Sequence, residues 1–318
     1  MGLVMIVFCF FFGRFVHSSQ EIQLIARQLK EDQPARVNRH IVLIVQELGH
    51  PYWQLVANGA AEAARADQMD IEIVGPVHHS MEEQIQLLEK AIASRVDGII
   101  VQGLNDEKFT PVINRAAEKG IPTLTIDTDA PTSKRLAYVG TDNKAAGRIL
   151  GQLVVRKTGG SGTIGILIGS ESAENQLQRL QGLRSIVSEY KGLRIVDVRA
   201  SNISAMEAIQ QAADMLQAHP DITIMAGTSA TDALGILQAA KSMNRSDIAI
   251  IGFDDLEETL DAVRQGEIDA TVVQQPFWMG ATSVHLLRDY FSGKSLPSTL
   301  HAQVEIIESN SPDTGRLP

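Results

Sequence analysis

From about Arg39 onward the chain alternates short β-branched apolar runs with longer stretches in which apolar residues recur every three or four positions. Runs that are short and apolar throughout read as parallel strands buried on both faces, and the stretches between them read as crossover helices. In the first half this predicts strands at 40–46, 71–74, 98–102, 123–126 and 137–140, with helices at 52–69, 80–94 and 110–119. In the helix at 80–94, Met81, Ile85, Leu88 and Ile92 share one face, Glu82, Glu83 and Gln84 lie on others, and Ser80 is placed to cap it. The second half repeats the scheme, with strands at 163–168, 194–198, 222–226, 248–253 and 271–274, and helices at 144–156, 176–190, 205–219, 231–243 and 257–265. Two successive sets of this kind imply two doubly wound α/β lobes, each built on a parallel sheet. Gly120 and Gly266 stand where a helix must stop in the left-handed conformation before the chain returns to the sheet.

Length agrees with two domains, since 318 residues are many for one. Hydrophobic residues at 44% and charged residues at 21% are the balance of a globular protein. Against 28 Lys and Arg stand 38 Asp and Glu, a formal charge of -10, so the field repels phosphate backbones and nucleic acid is not an expected partner. Cys9 is the single cysteine and lies in the apolar run Leu3 to Phe12, which leaves the globular part without disulfides, thiol nucleophiles or thiolate metal ligands.

That run has the length of a secretory-signal core and is too short to span a bilayer as a helix. Residues 1–18 are expected to be a signal peptide, with Val16-His17-Ser18 as the cleavage pattern, or an uncleaved anchor; residues 19–38 read as a polar linker. Either way the protein is expected outside the cytoplasm, touching a membrane only through this segment.

Ligands of open parallel sheets bind beyond the carboxyl ends of the strands. Those ends carry Gln46, His50, Tyr52, Trp53, Gln102, Asp127 and Thr141-Asp142-Asn143 in the first half, and Asn175, Arg179, Ser229, Asp232, Asp254 and Gln274 in the second. An ionised Asp accepts from two neighbouring hydroxyls, amides donate and accept together, and aromatic faces cover the C–H face of a sugar ring. The set suits an uncharged polyhydroxylated ligand. A phosphate or carboxylate would want several cations, and Arg179 stands almost alone. His78-His79 has no companion ligands at metal spacing and reads as a solvated loop. Gly159 to Thr163 precedes a strand instead of following one, so it reads as a tight turn and not a phosphate cradle. No cofactor, metal or catalytic residue is called for.

The segment Ile41-Val-Leu-Ile-Val-Gln-Glu-Leu-Gly-His-Pro-Tyr-Trp53, followed by Gly59-Ala-Ala-Glu-Ala-Ala, resembles the opening of ribose-type periplasmic sugar-binding proteins. Five further segments agree in order and spacing: Asp97 to Gln102, Ile121 to Asp127, Val139 to Asn143, Ile250 to Asp255 and Ala270 to Pro276. The resemblance implies the type 1 periplasmic-binding-protein fold: two lobes, a three-segment hinge, and a monosaccharide clamped between them for an ABC importer's permease. Its lobes would comprise 39–141 with 275–303, and 142–274 with 304–310, the chain crossing near Thr141, near Gln274 and once more before the last strand.

The resemblance places ligand contacts on Gln46, His50, Tyr52, Trp53, Gln102, Asp127, Thr141, Ser229, Phe253, Asp254 and Gln274, to which the strand-end rule adds Arg179. Departures are Thr128 and Leu177 where ribose binders carry Arg, and Ser229 and His50 where they carry Asn; these point away from ribose. A monomer is expected. An alternative output keeps the fold but reports sugar to a sensor kinase or chemoreceptor. A remoter one makes Asp127 and Asp254 a glycosidase pair. A transcription repressor of the same fold would need a basic helix-turn-helix where this chain has its apolar start.

Overall fold

The computed structural model describes residues 38–309; the apolar N-terminal run, all but the last residue of the 19–38 linker, and residue 310 lie outside them. Every element described lies between His40 and Glu308.

The first sheet is built from β1 (His40–Ile44), β2 (Asp70–Val74), β3 (Gly98–Val101), β4 (Thr123–Ile126), β5 (Ala137–Thr141) and β11 (Thr299–Ala302), in the order β11-β5-β4-β3-β1-β2, all parallel. The second contains β6 (Ser161–Ile168), β7 (Gly192–Ala200), β8 (Ile224–Gly227), β9 (Ala249–Phe253), β10 (Ala270–Val273) and β12 (Glu305–Glu308). Its order, β12-β10-β9-β8-β6-β7, repeats that of the first, with β12 alone antiparallel. The helices are α1 (Pro51–Ala66), α2 (Met81–Ala93), α3 (Asp106–Glu118), α4 (Asn143–Thr158), α5 (Glu174–Val187), α6 (Ala205–Ala218), α7 (Asp232–Ser242), α8 (Glu257–Arg264) and α9 (Pro276–Phe291). The chain passes between the sheets after β5, after β10 and after β11, which gives two α/β lobes of the type 1 periplasmic-binding-protein fold joined by three segments.

Each sheet is covered on both faces, which is why its central strands are mostly apolar and buried. In β1, Ile41 and Leu43 face one cluster with Val56, Ala60 and Leu287, while Val42 and Ile44 face another with Leu88, Phe109 and Ile113. The second sheet is packed the same way, with Leu150, Ile166 and Leu183 on one face and Met215, Met225 and Ile236 on the other.

The helices nearest the cleft pack in pairs through glycine. A Cβ on Gly59 of α1 would run into the carbonyl oxygen of Phe277 in α9, and one on Gly280 into that of Val56. In the second lobe Gly147 of α4 meets the carbonyl oxygen of Arg179 in α5, and Gly182 that of Lys144. Gly280 and Gly147 are both fifth in their helices, and Gly59 and Gly182 both ninth. The two joints are thus the same joint made twice.

Expected and observed element ends agree to within a few residues, but α3 starts a turn earlier than expected, where Asn105 accepts from the Lys108 amide at 3.0 Å. Helix α9 and strand β11 were not among the expected elements, and β12 was expected only as the last strand that the resemblance implies. The buried stripe of α9 includes Pro276, Gly280 and Ser283, so small residues blur its apolar period, and β11 and β12 are sheet-edge strands with exposed polar positions.

Candidate functional site

Asp127 follows β4 and Asp254 follows β9, strands that hold the same place in their sheets, and both side chains are buried (3% and 5% exposed). They line one cleft with Gln46, Glu47, His50, Tyr52, Trp53, Asn175, Gln176, Arg179, Ser229 and Gln274.

Asp127 is surrounded by donors. Its Oδ1 accepts from the Tyr52 hydroxyl at 2.6 Å; its Oδ2 accepts from Gln102 Nε2 at 2.6 Å, Thr128 Oγ1 at 3.0 Å and Asn175 Nδ2 at 3.1 Å. Asn175 belongs to α5 of the second lobe, so this last bond spans the cleft. Asp254 has sparser company: Gln274 Nε2 donates to its Oδ1 at 2.9 Å. Burial pushes its carboxyl up to about 7, opposed by the Arg179 charge and the Gln274 hydrogen bond and reinforced by Asp255 and Asp127. Burial, and then the Asp127 charge, also raise the Tyr52 and Tyr138 phenols, which stay protonated donors.

Arg179 is 2% exposed and stacks on the Phe253 ring, 3.8 Å from its centroid. Its Nε donates to Asn143 Oδ1 at 2.8 Å, and its two terminal nitrogens donate to the Thr228 carbonyl at 2.8 Å and Gln274 Oε1 at 2.9 Å. Thr141 Oγ1 donates to that same Gln274 oxygen at 2.7 Å. With Oε1 taken twice, the amide of Gln274 is oriented so that its NH₂ faces Asp254.

Nine of the twelve residues expected to touch ligand line the cleft: Gln46, His50, Tyr52, Trp53, Asp127, Arg179, Ser229, Asp254 and Gln274. Gln102, Thr141 and Phe253 are not among its lining; they stand behind it, holding Asp127, Gln274 and Arg179 respectively. Ser229 Oγ and Gln102 Oε1 are buried and lack a protein partner. Glu47, Gln176, Ile203 and Ala230 were missed; Glu47, Ile203 and Ala230 sit in the connections beyond the strand ends, and Gln176 in the first turn of α5. Asp232 is not part of the cleft lining: its carboxylate accepts from Ser201 Oγ at 2.6 Å and from the Thr228 and Ser229 amides at 3.0 and 2.8 Å, so it shapes the β8–α7 loop.

The reading of His78-His79 as a solvated loop needs correction. His78 is exposed, but His79 is half-buried, with Nδ1 2.8 Å from Gln46 Nε2. Burial lowers His79 and His50 below the ordinary imidazole value, with Glu47 opposing. Among the described residues no group of three or more His, Cys, Asp or Glu could hold a metal, and no helix is long and apolar enough to cross a membrane.

A family model for the periplasmic binding protein domain matches residues 41–295. The ribose import binding protein RbsB of Bacillus subtilis (strain 168) is 26% identical over 84% of this chain and 86% of that protein. GanP, a glucose-galactose binding protein from Geobacillus stearothermophilus, superposes with a TM-score of 0.84 at 41% identity, over 86% of this chain and 98% of GanP. XylFII in its complex with LytSN gives a TM-score of 0.82 at 35% identity, over 86% of this chain and 98% of that one.

Proposed function

Because the chain belongs to the periplasmic binding protein family, we propose that it is an extracytoplasmic receptor that closes its two lobes on a monosaccharide and delivers the sugar to an ABC importer. The observation that carries this reading is the convergence of Asp127 and Asp254, one from each lobe, on a cleft they share with Tyr52, Trp53, Asn175 and Gln274. Carboxylates and amides on opposite walls bond a ring's hydroxyls from both sides, and those bonds exist together only when the lobes are closed. A ligand stabilises the closed state by that difference in contacts.

A pentose other than ribose, or a hexose, fits the departures at His50, Thr128, Leu177 and Ser229. Thr128 is buried and donates to Asp127, whereas Leu177 is 39% exposed, so neither position presents a guanidinium to ligand. That GanP binds glucose and galactose supports the hexose branch. A hydrolytic role is not favoured: the relatives are sugar-binding proteins, and Asp127 is turned toward four donors instead of a scissile oxygen. XylFII's complex with LytSN favours a second output, in which the sugar-closed form docks on a membrane sensor.

The test is a thermal-shift screen of the full chain against pentoses, hexoses and polyols, followed by calorimetry on the hits. Sugar at about a thousand times its dissociation constant adds about 4 kcal/mol of stability. Loss of the shift in Asp254→Ala would support the assignment; silence across the panel from folded protein would remove it. Stimulation of a reconstituted importer's ATPase by the sugar-loaded chain separates transport from sensing.

A further inference from the structure

Trp53 Nε1 donates to Gln46 Oε1 at 3.3 Å, and the other end of the same amide, Nε2, lies 2.8 Å from His79 Nδ1. An indole nitrogen can only donate, so the oxygen of Gln46 must face Trp53 and its NH₂ must face His79. His79 Nδ1 must then be an acceptor, and the imidazole is neutral with its proton on Nε2. The orientation of a buried aromatic in the cleft wall is thereby tied to the protonation state of a half-buried histidine outside it.

The surroundings set how firmly that neutral form is held. Glu47 in the β1–α1 loop and Glu82 in the first turn of α2 favour a proton on His79, and burial opposes it. The N-terminus of α2, which Ser80 caps immediately after His79, adds positive field against protonation. His50 in the β1–α1 loop feels Glu47 as well, and exposed His78 is the chain neighbour. A proton on His79 Nδ1 sets two donors against each other at 2.8 Å. Relief requires the Gln46 amide to turn, which puts its NH₂ against the Trp53 N–H, or the β2–α2 loop to withdraw, which frees Gln46. Either way the indole loses its fixed acceptor.

We propose that His79 is a positioning residue for the ligand cleft: in its neutral form it fixes Gln46, and through Gln46 the Trp53 ring, so that ligand affinity falls as His79 takes up a proton. The step from Trp53 to affinity rests on the cleft being the ligand site; the step from His79 to Trp53 does not. If bound ligand needs the neutral form, affinity falls roughly tenfold one pH unit below the His79 midpoint.

The two steps are read separately. In the ligand-free, nitrogen-15-labelled full chain, the Trp53 indole N–H resonance, distinguished from that of Trp278 by W278F, is followed from about pH 8 to about pH 5 alongside His79 itself. It is expected to move with the His79 midpoint in wild type and not in H79N, whose Oδ1 accepts from Gln46 but does not titrate. His50 titrates in both proteins, so the difference between them is what counts. An indole signal that ignores the His79 titration, or follows the same curve in H79N, overturns the proposal.

Affinity for the best sugar from the screen is then expected to be weak at every pH in H79L, restored in H79N, and to lose in H79N the acid dependence seen in wild type. Acid dependence unchanged by H79N overturns the link to binding. Absence of any sugar hit removes the proposed function, while the indole titration still decides the role of His79.

Discussion

Asp127 and Asp254 adopt the same left-handed backbone, with φ of +64° and +65°. Each amide donates across to the next strand, to the Val139 carbonyl at 2.9 Å and the Val272 carbonyl at 2.7 Å. Each carbonyl accepts a hydroxyl from the residue before that strand residue, Tyr138 at 2.8 Å and Thr271 at 2.7 Å. The left-handed region costs a non-glycine residue about 1–2 kcal/mol, least for Asp and Asn. Both lobes tolerate that strain at the same strand end, which turns a carboxylate out of the sheet and into the cleft.

Asp254 is buried with one side-chain donor on its carboxyl, and this gives a pH-dependent prediction. The Asp254 carboxyl, raised to about 7, lies above its ordinary 3.8, so the stability its neutral form contributes is complete below the ordinary value and is lost as the pH rises through about 7. Asp254→Asn keeps the backbone conformation and never ionises. It is expected to stabilise the ligand-free protein by about 1–4 kcal/mol near pH 8 and by little near pH 4, while abolishing sugar binding. Urea unfolding at the two pH values checks this, and an equal effect at both would contradict it.

Asn175 carries a hydrogen bond from one lobe to a carboxylate of the other. Hydrogen bonds to charged groups are worth about 1.5–3 kcal/mol, so Asn175→Ala is expected to weaken ligand binding by about tenfold or more. It should also enlarge the ligand-free radius of gyration in X-ray scattering; a radius and affinity like those of wild type would show that this bond does not favour closure.

The glycine joints predict large effects from a single methyl group. Gly147→Ala and Gly280→Ala each place a Cβ on a backbone carbonyl of the partner helix, which cannot swing away as a side chain can. Each is expected to destabilise by about 1–3 kcal/mol or more by overpacking. Gly147→Ala should in addition weaken sugar binding, because the carbonyl it displaces belongs to Arg179.

Arg179→Lys keeps the charge but cannot reach Asn143, Thr228 and Gln274 together while stacking on Phe253. A hydrogen bond to a charged group is worth about 1.5–3 kcal/mol, so losing at least one of the three is expected to cost that much or more in denaturant unfolding. Ligand affinity should fall with it, since Gln274 would lose one of the two donors that orient its amide toward Asp254.

The lobes were legible in the sequence because parallel strands buried on both faces leave dense apolar runs such as Ile41 to Val45 and Ala270 to Val273, and because the strand-end rule locates the cleft without knowledge of the packing. Helix α9 was not, since Gly280, which lets it approach α1, and Ser283 interrupt its apolar period. At the site, Tyr52 and Asp254 follow strands and could be found by position, but the strand-end rule cannot tell a residue that lines the cleft from Gln102 or Phe253, which brace the ones that do. His79 meets Gln46 across a separation of 33 residues. The same rule applied to the end of β2 reaches its loop, although nothing in the sequence announces the amide that joins it to Trp53.

The repeated glycine joint makes the sixteen-residue α1 and the fourteen-residue α5 directly comparable, position for position. Their ninth residues are both Gly, but their second residues are Tyr52 and Asn175, their third Trp53 and Gln176, and their sixth Val56 and Arg179. The frame looks like a duplicated half-chain, and its copies have diverged where they meet whatever enters between them. A frame that stayed symmetric would hold a sugar equally well end for end. With Tyr52 and Trp53 on one wall and Asn175, Gln176 and Arg179 on the other, the two walls are unlike, so a ligand turned end for end meets different partners.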